Sequence, residues 1–145
     1  MIEFNNKDWP FILIQFDNNT INDNIFDEYI TNLFKLYDMA KSKNERITLI
    51  FDLSKVSNVP MKYVLKQGTI NKKLNPLSKL YINETYFLTS SKFMKHILNL
   101  LFTIEKPTRP YKVFSNINKL KIHLEKKCEE SNINETSTVF LNKHN

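Results

Sequence analysis

The stretch Arg46-Ile-Thr-Leu-Ile-Phe-Asp-Leu-Ser-Lys-Val-Ser57 constrains the fold more than any other part of the chain. Its Ile-Thr-Leu-Ile-Phe run is unbroken, rich in β-formers, and closed by Asp52-Leu53-Ser54. A strand whose apolar residues do not alternate with polar ones has both faces covered, as in a central strand with helices on either side. The remaining elements are arranged around it.

Before it, Ile2 and Phe4 make a short strand, Asn5-Asn6-Lys7-Asp8 supplies turn residues, and Pro10 to Phe16 is a second strand, so a β-hairpin is expected. From Asp23 to about Ser42, Phe26, Ile30, Leu33, Tyr37 and Ala40 follow the three-and-four spacing of one buried helical face. Asp23, Asp27 and Glu28 near its start and Lys41 and Lys43 near its end suit the helix dipole.

After the central strand, Asn58-Val59-Pro60 opens a helix expected to reach about Asn75. It carries three rows: an apolar face of Met61, Val64, Leu65 and Gly68, a basic side of Lys62, Lys66 and Lys73, and a row of Tyr63, Ile70 and Leu74. One sheet cannot bury both apolar rows, so a neighbouring element or a partner must cover one. Gly68, the only glycine, costs about 1 kcal/mol inside a helix, which suggests close packing on the sheet.

A strand is expected across Lys79 to Thr89, then a helix capped by Ser90-Ser91 with Phe93, Met94, Ile97, Leu98, Leu101, Phe102 and Ile104 apolar nearly all round. Pro107 and Pro110 lead to a strand over Tyr111 to Phe114, and Ser115 is expected to cap a last helix to about Cys128. The order ββαβαβαβα predicts a single α/β domain with about five strands in a mixed sheet, an opening hairpin and four helices. Residues 1–128 are expected to form that domain, and 129–145 a polar tail, loose or weakly docked.

The size fits one domain of a globular protein: 145 residues, 41% hydrophobic and 25% charged. No signal peptide opens the chain and no run approaches about 20 apolar residues, so a cytoplasmic protein is expected. The sequons at Asn83 and Asn134 are then chance matches. The net charge of +6 is uneven: residues 1–52 hold five basic and nine acidic side chains, residues 53–123 thirteen and two. A basic middle favours an anionic partner, either an acidic protein or an anionic lipid surface. With nineteen lysines to two arginines and abundant asparagine, A+T-rich coding also explains the excess, and the shortage of arginine argues against nucleic acid.

Catalytic and cofactor chemistry is sparse. One glycine excludes glycine-rich phosphate loops, and His96, His123 and His144 lack partners at metal-ligand spacing, so neither cofactor nor metal is expected. His123 reads as a surface histidine. Cys128 stands alone among Lys126, Lys127, Glu129 and Glu130, without an activating group in sequence. Asp52, with Ser54 and Ser57 behind it, lies at the carboxyl end of the central strand, where open α/β sheets place their ligand crevices. These residues could serve a small hydrolase if a histidine or lysine reached Ser54. Capping of loop amides by Asp52 is the simpler role.

The segment Asp52-Leu53-Ser54-Lys55-Val56, the opening hairpin and the alternating helices resemble the STAS domain, the fold of bacterial anti-sigma factor antagonists. Tyr86-Phe-Leu-Thr-Ser-Ser91, the apolar helix to Ile104, Lys106-Pro-Thr-Arg-Pro110 and Val113-Phe114-Ser115 resemble a branch of that superfamily related to both STAS and CRAL-TRIO lipid-transfer domains. The similarity spans roughly residues 8–126. It implies a non-enzymatic interaction module whose partner face is the loop after Asp52 and the helix from Pro60. Where anti-sigma antagonists carry a phosphorylatable serine, this chain has Pro60-Met61-Lys62-Tyr63, so that switch is not carried over. The expected partner-binding residues are Asp52, Ser54, Ser57, Met61, Lys62, Tyr63, Lys66 and Lys73. Peripheral binding to anionic membrane through the lysines with Tyr63, Ile70 and Leu74, or through the helix Phe93 to Ile104, is the alternative.

Overall fold

In a computed structural model describing residues 2–131, the elements are β1 (Ile2–Asn5), β2 (Phe11–Phe16), α1 (Asp23–Lys43), β3 (Ile47–Asp52), α2 (Met61–Tyr81), β4 (Ile82–Leu88), α3 (Lys92–Ile104), β5 (Tyr111–Phe114) and α4 (Ile117–Ser131). The expected order ββαβαβαβα and the mixed five-stranded sheet are present. β1 and β2 pair antiparallel, with Ile2 opposite Phe16; the other neighbours pair parallel in the order β1-β2-β3-β4-β5.

This order places the helices. Each parallel crossover steps to the next strand in one direction, and right-handed crossovers then put α1, α2 and α3 on a single face. Ile47, Leu49 and Phe51 of β3 join the core on that side. Ile50 points the other way, into a smaller core where Leu120 and Leu124 of α4 cover Phe11, Tyr86 and Leu88. The unbroken apolar run of β3 follows from this double cover, and all five residues from Ile47 to Phe51 are buried.

Local signals set most boundaries. The Asn22 side chain accepts from the Ile25 amide at 2.9 Å to start α1, and Asn44, left-handed at φ 51°, ends it. Ser91 caps α3 by accepting from the Met94 amide at 3.2 Å. The last helix differs from expectation: Asn116, not Ser115, accepts from the Lys119 amide at 3.1 Å. Residues 132–145, most of the tail expected to be loose, lie outside the described residues; α4 continues through Ser131.

Helix α2 departs most from the sequence reading. It runs to Tyr81 with Pro76 inside it, so Leu80 and Tyr81 are helical and β4 starts at Ile82. Contacts on both sides of the proline hold the helix together: Leu74 is 3% exposed, the Leu77 and Tyr81 side chains pack on the core, and the Ser78 hydroxyl lies 2.7 Å from that of Tyr37.

Its faces also differ. The row Tyr63, Ile70 and Leu74 turns inward, whereas Met61 and Leu65 are 49% and 55% exposed. Gly68 packs against α3 instead of the sheet: a Cβ there would stand 2.7 Å from Ile104 Cγ2. Flanked by α1 and α3 over the sheet, α2 buries an arc running from Ile70 through Leu74 and Val64 to Gly68. His123, expected at the surface, is half-buried on the sheet side of α4, its ring 5.6 Å from Tyr86 and 5.3 Å from Phe114. The interleaved apolar and basic sequence of α4 hides which side faces the sheet.

Candidate interaction surface

The surface begins where β3 ends. Asp52 Oδ1 accepts from the Ser54 amide at 3.1 Å and the Ser54 hydroxyl at 2.6 Å, while Oδ2 accepts from Gln15 Nε2 of β2 at 3.4 Å. This is an Asx turn anchored to the neighbouring strand. The Ser54 hydroxyl is engaged with that carboxylate, and among the described residues no histidine or lysine hydrogen-bonds it. The grouping a hydrolase would need is not assembled there.

Beyond the turn, the loop is joined to the segment after β2. The Ser57 and Asn58 amides both donate to the Asn19 carbonyl, at 2.8 and 3.0 Å, and the Ile21 amide returns a bond to the Asn58 carbonyl at 3.1 Å. The Ser57 hydroxyl adds a 3.3 Å bond to the same Asn19 oxygen. Leu53 and Val56 are buried beneath, so the exposed Ser54, Lys55 and Ser57 stand on a fixed backbone.

At the start of α2, Tyr63 donates its phenol proton to Asp23 Oδ1 at 2.7 Å, and Lys62 Nζ approaches the same oxygen at 3.3 Å. Hydrogen bonds from Tyr63 and then Lys62 hold the Asp23 carboxyl below the usual carboxylate range. The reciprocal hydrogen bond raises Lys62, and burial is the leading cause that raises Tyr63. Lys62 Nζ lies 5.0 Å from the Tyr63 ring centre; Lys66 Nζ lies 5.7 Å from that ring and 6.0 Å from Phe26.

Two of the eight expected residues are therefore mainly structural. Asp52 clamps the turn, and Tyr63 is 3% exposed, a buried post against Phe26 with ring centres 5.2 Å apart. Ser54, Ser57, Met61, Lys62, Lys66 and Lys73 are exposed on the loop and the outer side of α2. Helical geometry at about 100° per residue groups Lys62, Lys66 and Lys73 along one stripe, with Met61 and Leu65 beside it. Leu65 was missed because the sequence assigned it to the buried face. The basic middle of the chain is also partly offset by the acidic first third, through Lys55 with Asp17 at 3.3 Å and Lys62 with Asp23. The row offered for membrane docking is covered: Tyr63 and Leu74 are each 3% exposed, and Ile70 packs on the core.

No protein-family model matches the sequence, and no curated protein matches it. Its structure is similar to that of an uncharacterised protein from the DUF3478 family with a SpoIIAA-like fold, from Shewanella loihica PV-4. The TM-score is 0.57 over 82% of this chain and 88% of that one, at 8% identity. The chain has a SpoIIAA-like, STAS-like fold. That likeness bears on architecture alone. Among the described residues no helix is long and apolar enough to cross a membrane, and no cluster of three metal-ligating side chains occurs.

Proposed function

We propose that this SpoIIAA-like domain is a non-enzymatic interaction module that binds an acidic protein segment through the loop after β3 and the outer side of α2. The observation that carries the reading is the exposure of Met61 and Leu65 on a rigid frame, beside the Lys62, Lys66 and Lys73 stripe. Half-exposed Met61 and Leu65 supply adaptable apolar contact, and the lysines supply orientation and a fast approach. By the resemblance to anti-sigma antagonists, Pro60-Met61-Lys62-Tyr63 stands where they carry their regulated serine, so regulation by phosphorylation at that point is not part of the proposal.

Site-specific photocrosslinking in the native cell tests it. A photoreactive residue at position 61 or 65 is expected to give the same discrete protein adduct, absent when placed at Phe34 or Ile122, which are also exposed but lie on α1 and α4. No discrete adduct at 61 and 65, or equal adducts at all four positions, contradicts the assignment.

A further inference from the structure

On the three-helix side the core opens into a pocket that is partly exposed to solvent. Between the sheet and α1, α2 and α3 lies a cavity of about 210 Å³, walled by side chains that include Phe16, Leu33, Phe51, Val64 and Leu98. Close-packed interiors have few voids larger than one water, whose share of liquid volume is about 30 Å³. An apolar cavity of about 150 Å³ stays dry and admits benzene, and by proportion about 210 Å³ takes about eight carbons.

Most polar groups on its wall are already satisfied by one another. Gln67 donates to Asn71 at 2.7 Å, Tyr37 and Ser78 share a 2.7 Å bond, and Asn75 donates to Glu105 at 2.6 Å. Arg109 Nε donates to the Ile82 carbonyl at 2.9 Å. Thr108 is the exception: its hydroxyl is enclosed and has no hydrogen-bond partner among the described residues. It lines the cavity from the segment joining α3 to β5. Lys106 and Arg109 stand beside it in sequence, and Glu105, held by Asn75, is the one acid on this wall, so the formal balance is positive.

From this arrangement we infer a ligand site: the cavity binds a medium-chain carboxylic acid, its hydrocarbon tail among the core side chains and its carboxylate accepting from the Thr108 hydroxyl beside Lys106 and Arg109. The apolar wall requires the tail, the unpaired hydroxyl requires an acceptor, and the surplus of cations selects an anionic one. The site occupies the inner side of α2, so it stands or falls independently of the partner surface on the outer side.

Isothermal titration of the full chain with octanoate and with octanol tests the inference. Octanoate is expected to bind saturably at one per chain, with octanol weaker. Thr108→Val and Lys106→Glu should weaken octanoate about tenfold while leaving octanol unchanged, since a hydrogen bond to a charged group is at stake. Leu98→Phe, which fills the cavity, should abolish both. If that variant fails to fold, the Thr108→Val comparison still decides. No saturable binding of octanoate, or binding that Thr108→Val and Lys106→Glu leave unaltered, overturns the assignment.

Discussion

Tyr63 and Asp23, forty residues apart in sequence, are joined by a 2.7 Å hydrogen bond that ties the first turn of α2 to the first turn of α1. It fixes the start of α2, and with it the surface carrying Met61 and Leu65. In Tyr63→Phe the ring remains and the donor is lost, so the Asp23 carboxyl should titrate at a higher pH than in the wild type. A group whose folded pKa is depressed contributes stability above its unfolded value of 3.8 and loses it as pH falls through the folded value. The variant therefore gives up part of the stability that this carboxylate contributes at neutral pH. Carbon-detected NMR titration of Asp23 reads the change, and an unaltered titration would show that the tie is not made.

Gly68 and Ile104 form a second coupled pair. Alanine normally gains about 1 kcal/mol over glycine inside a helix. At this position its Cβ meets Ile104 Cγ2 at 2.7 Å, on a β-branched side chain stiff at χ1. Gly68→Ala should therefore lower stability in the wild type and raise it by about 1 kcal/mol in an Ile104→Ala background. A urea double-mutant cycle measures this, and additive effects would mean that the two helices do not meet there.

Pro76 lies exposed inside α2, as its sixteenth residue. An interior proline removes an amide donor and costs a helix about 3 kcal/mol, partly offset by its restriction of the unfolded chain. Pro76→Ala should accordingly stabilise the protein by about 1–2 kcal/mol. Were the helix to stop at Asn75, the substitution would bring no gain in urea midpoint.

His123 links stability to pH. Burial, followed by the Lys112 and Lys127 charges, depresses its imidazole below the ordinary 6.5, with Glu84 and Glu130 opposing. The unfolded chain thus takes up a proton that the native state resists. The effect is absent well above 6.5, and stability falls as pH drops through that value toward the folded one. The melting temperature should decline between about pH 7.5 and about pH 5.5, and His123→Phe, which keeps a ring against Tyr86 and Phe114, should flatten the decline. An unchanged slope in that variant would remove His123 as its source.

The sequence carried the architecture well where one signal decided each element. The unbroken run Ile47 to Phe51 announced a doubly covered strand, and the spacing of Phe26, Leu33 and Tyr37 gave α1 to within a residue or two. Ser91 was legible as a cap because capping is local. Helix α2 was not, because its limits are set from outside: Ser78 against Tyr37 and the packing of Leu77 carry it past Pro76, and two flanking helices decide that Leu74 is inside and Leu65 outside.

The same division holds for the sites. The capping role of Asp52 was readable from its place before Ser54, and the exposed lysines from their spacing. Tyr63 could not be told from a contact residue, since only Asp23 and Phe26, remote in sequence, make it a buried post. Thr108 was legible only as part of the segment Lys106-Pro-Thr-Arg-Pro110, with nothing to mark its hydroxyl. That its hydroxyl lacks a partner is a property of the folded surroundings, which no spacing encodes.

The most direct measurement is the photocrosslinking yield at position 65 in the native cell, compared between the otherwise unaltered chain and one carrying Lys62→Glu, Lys66→Glu and Lys73→Glu. If α2 presents an apolar contact steered by those lysines to an acidic protein, the discrete adduct disappears with the charge reversal while the fold, followed by circular dichroism, persists. An adduct of undiminished yield in the reversed variant would contradict the account.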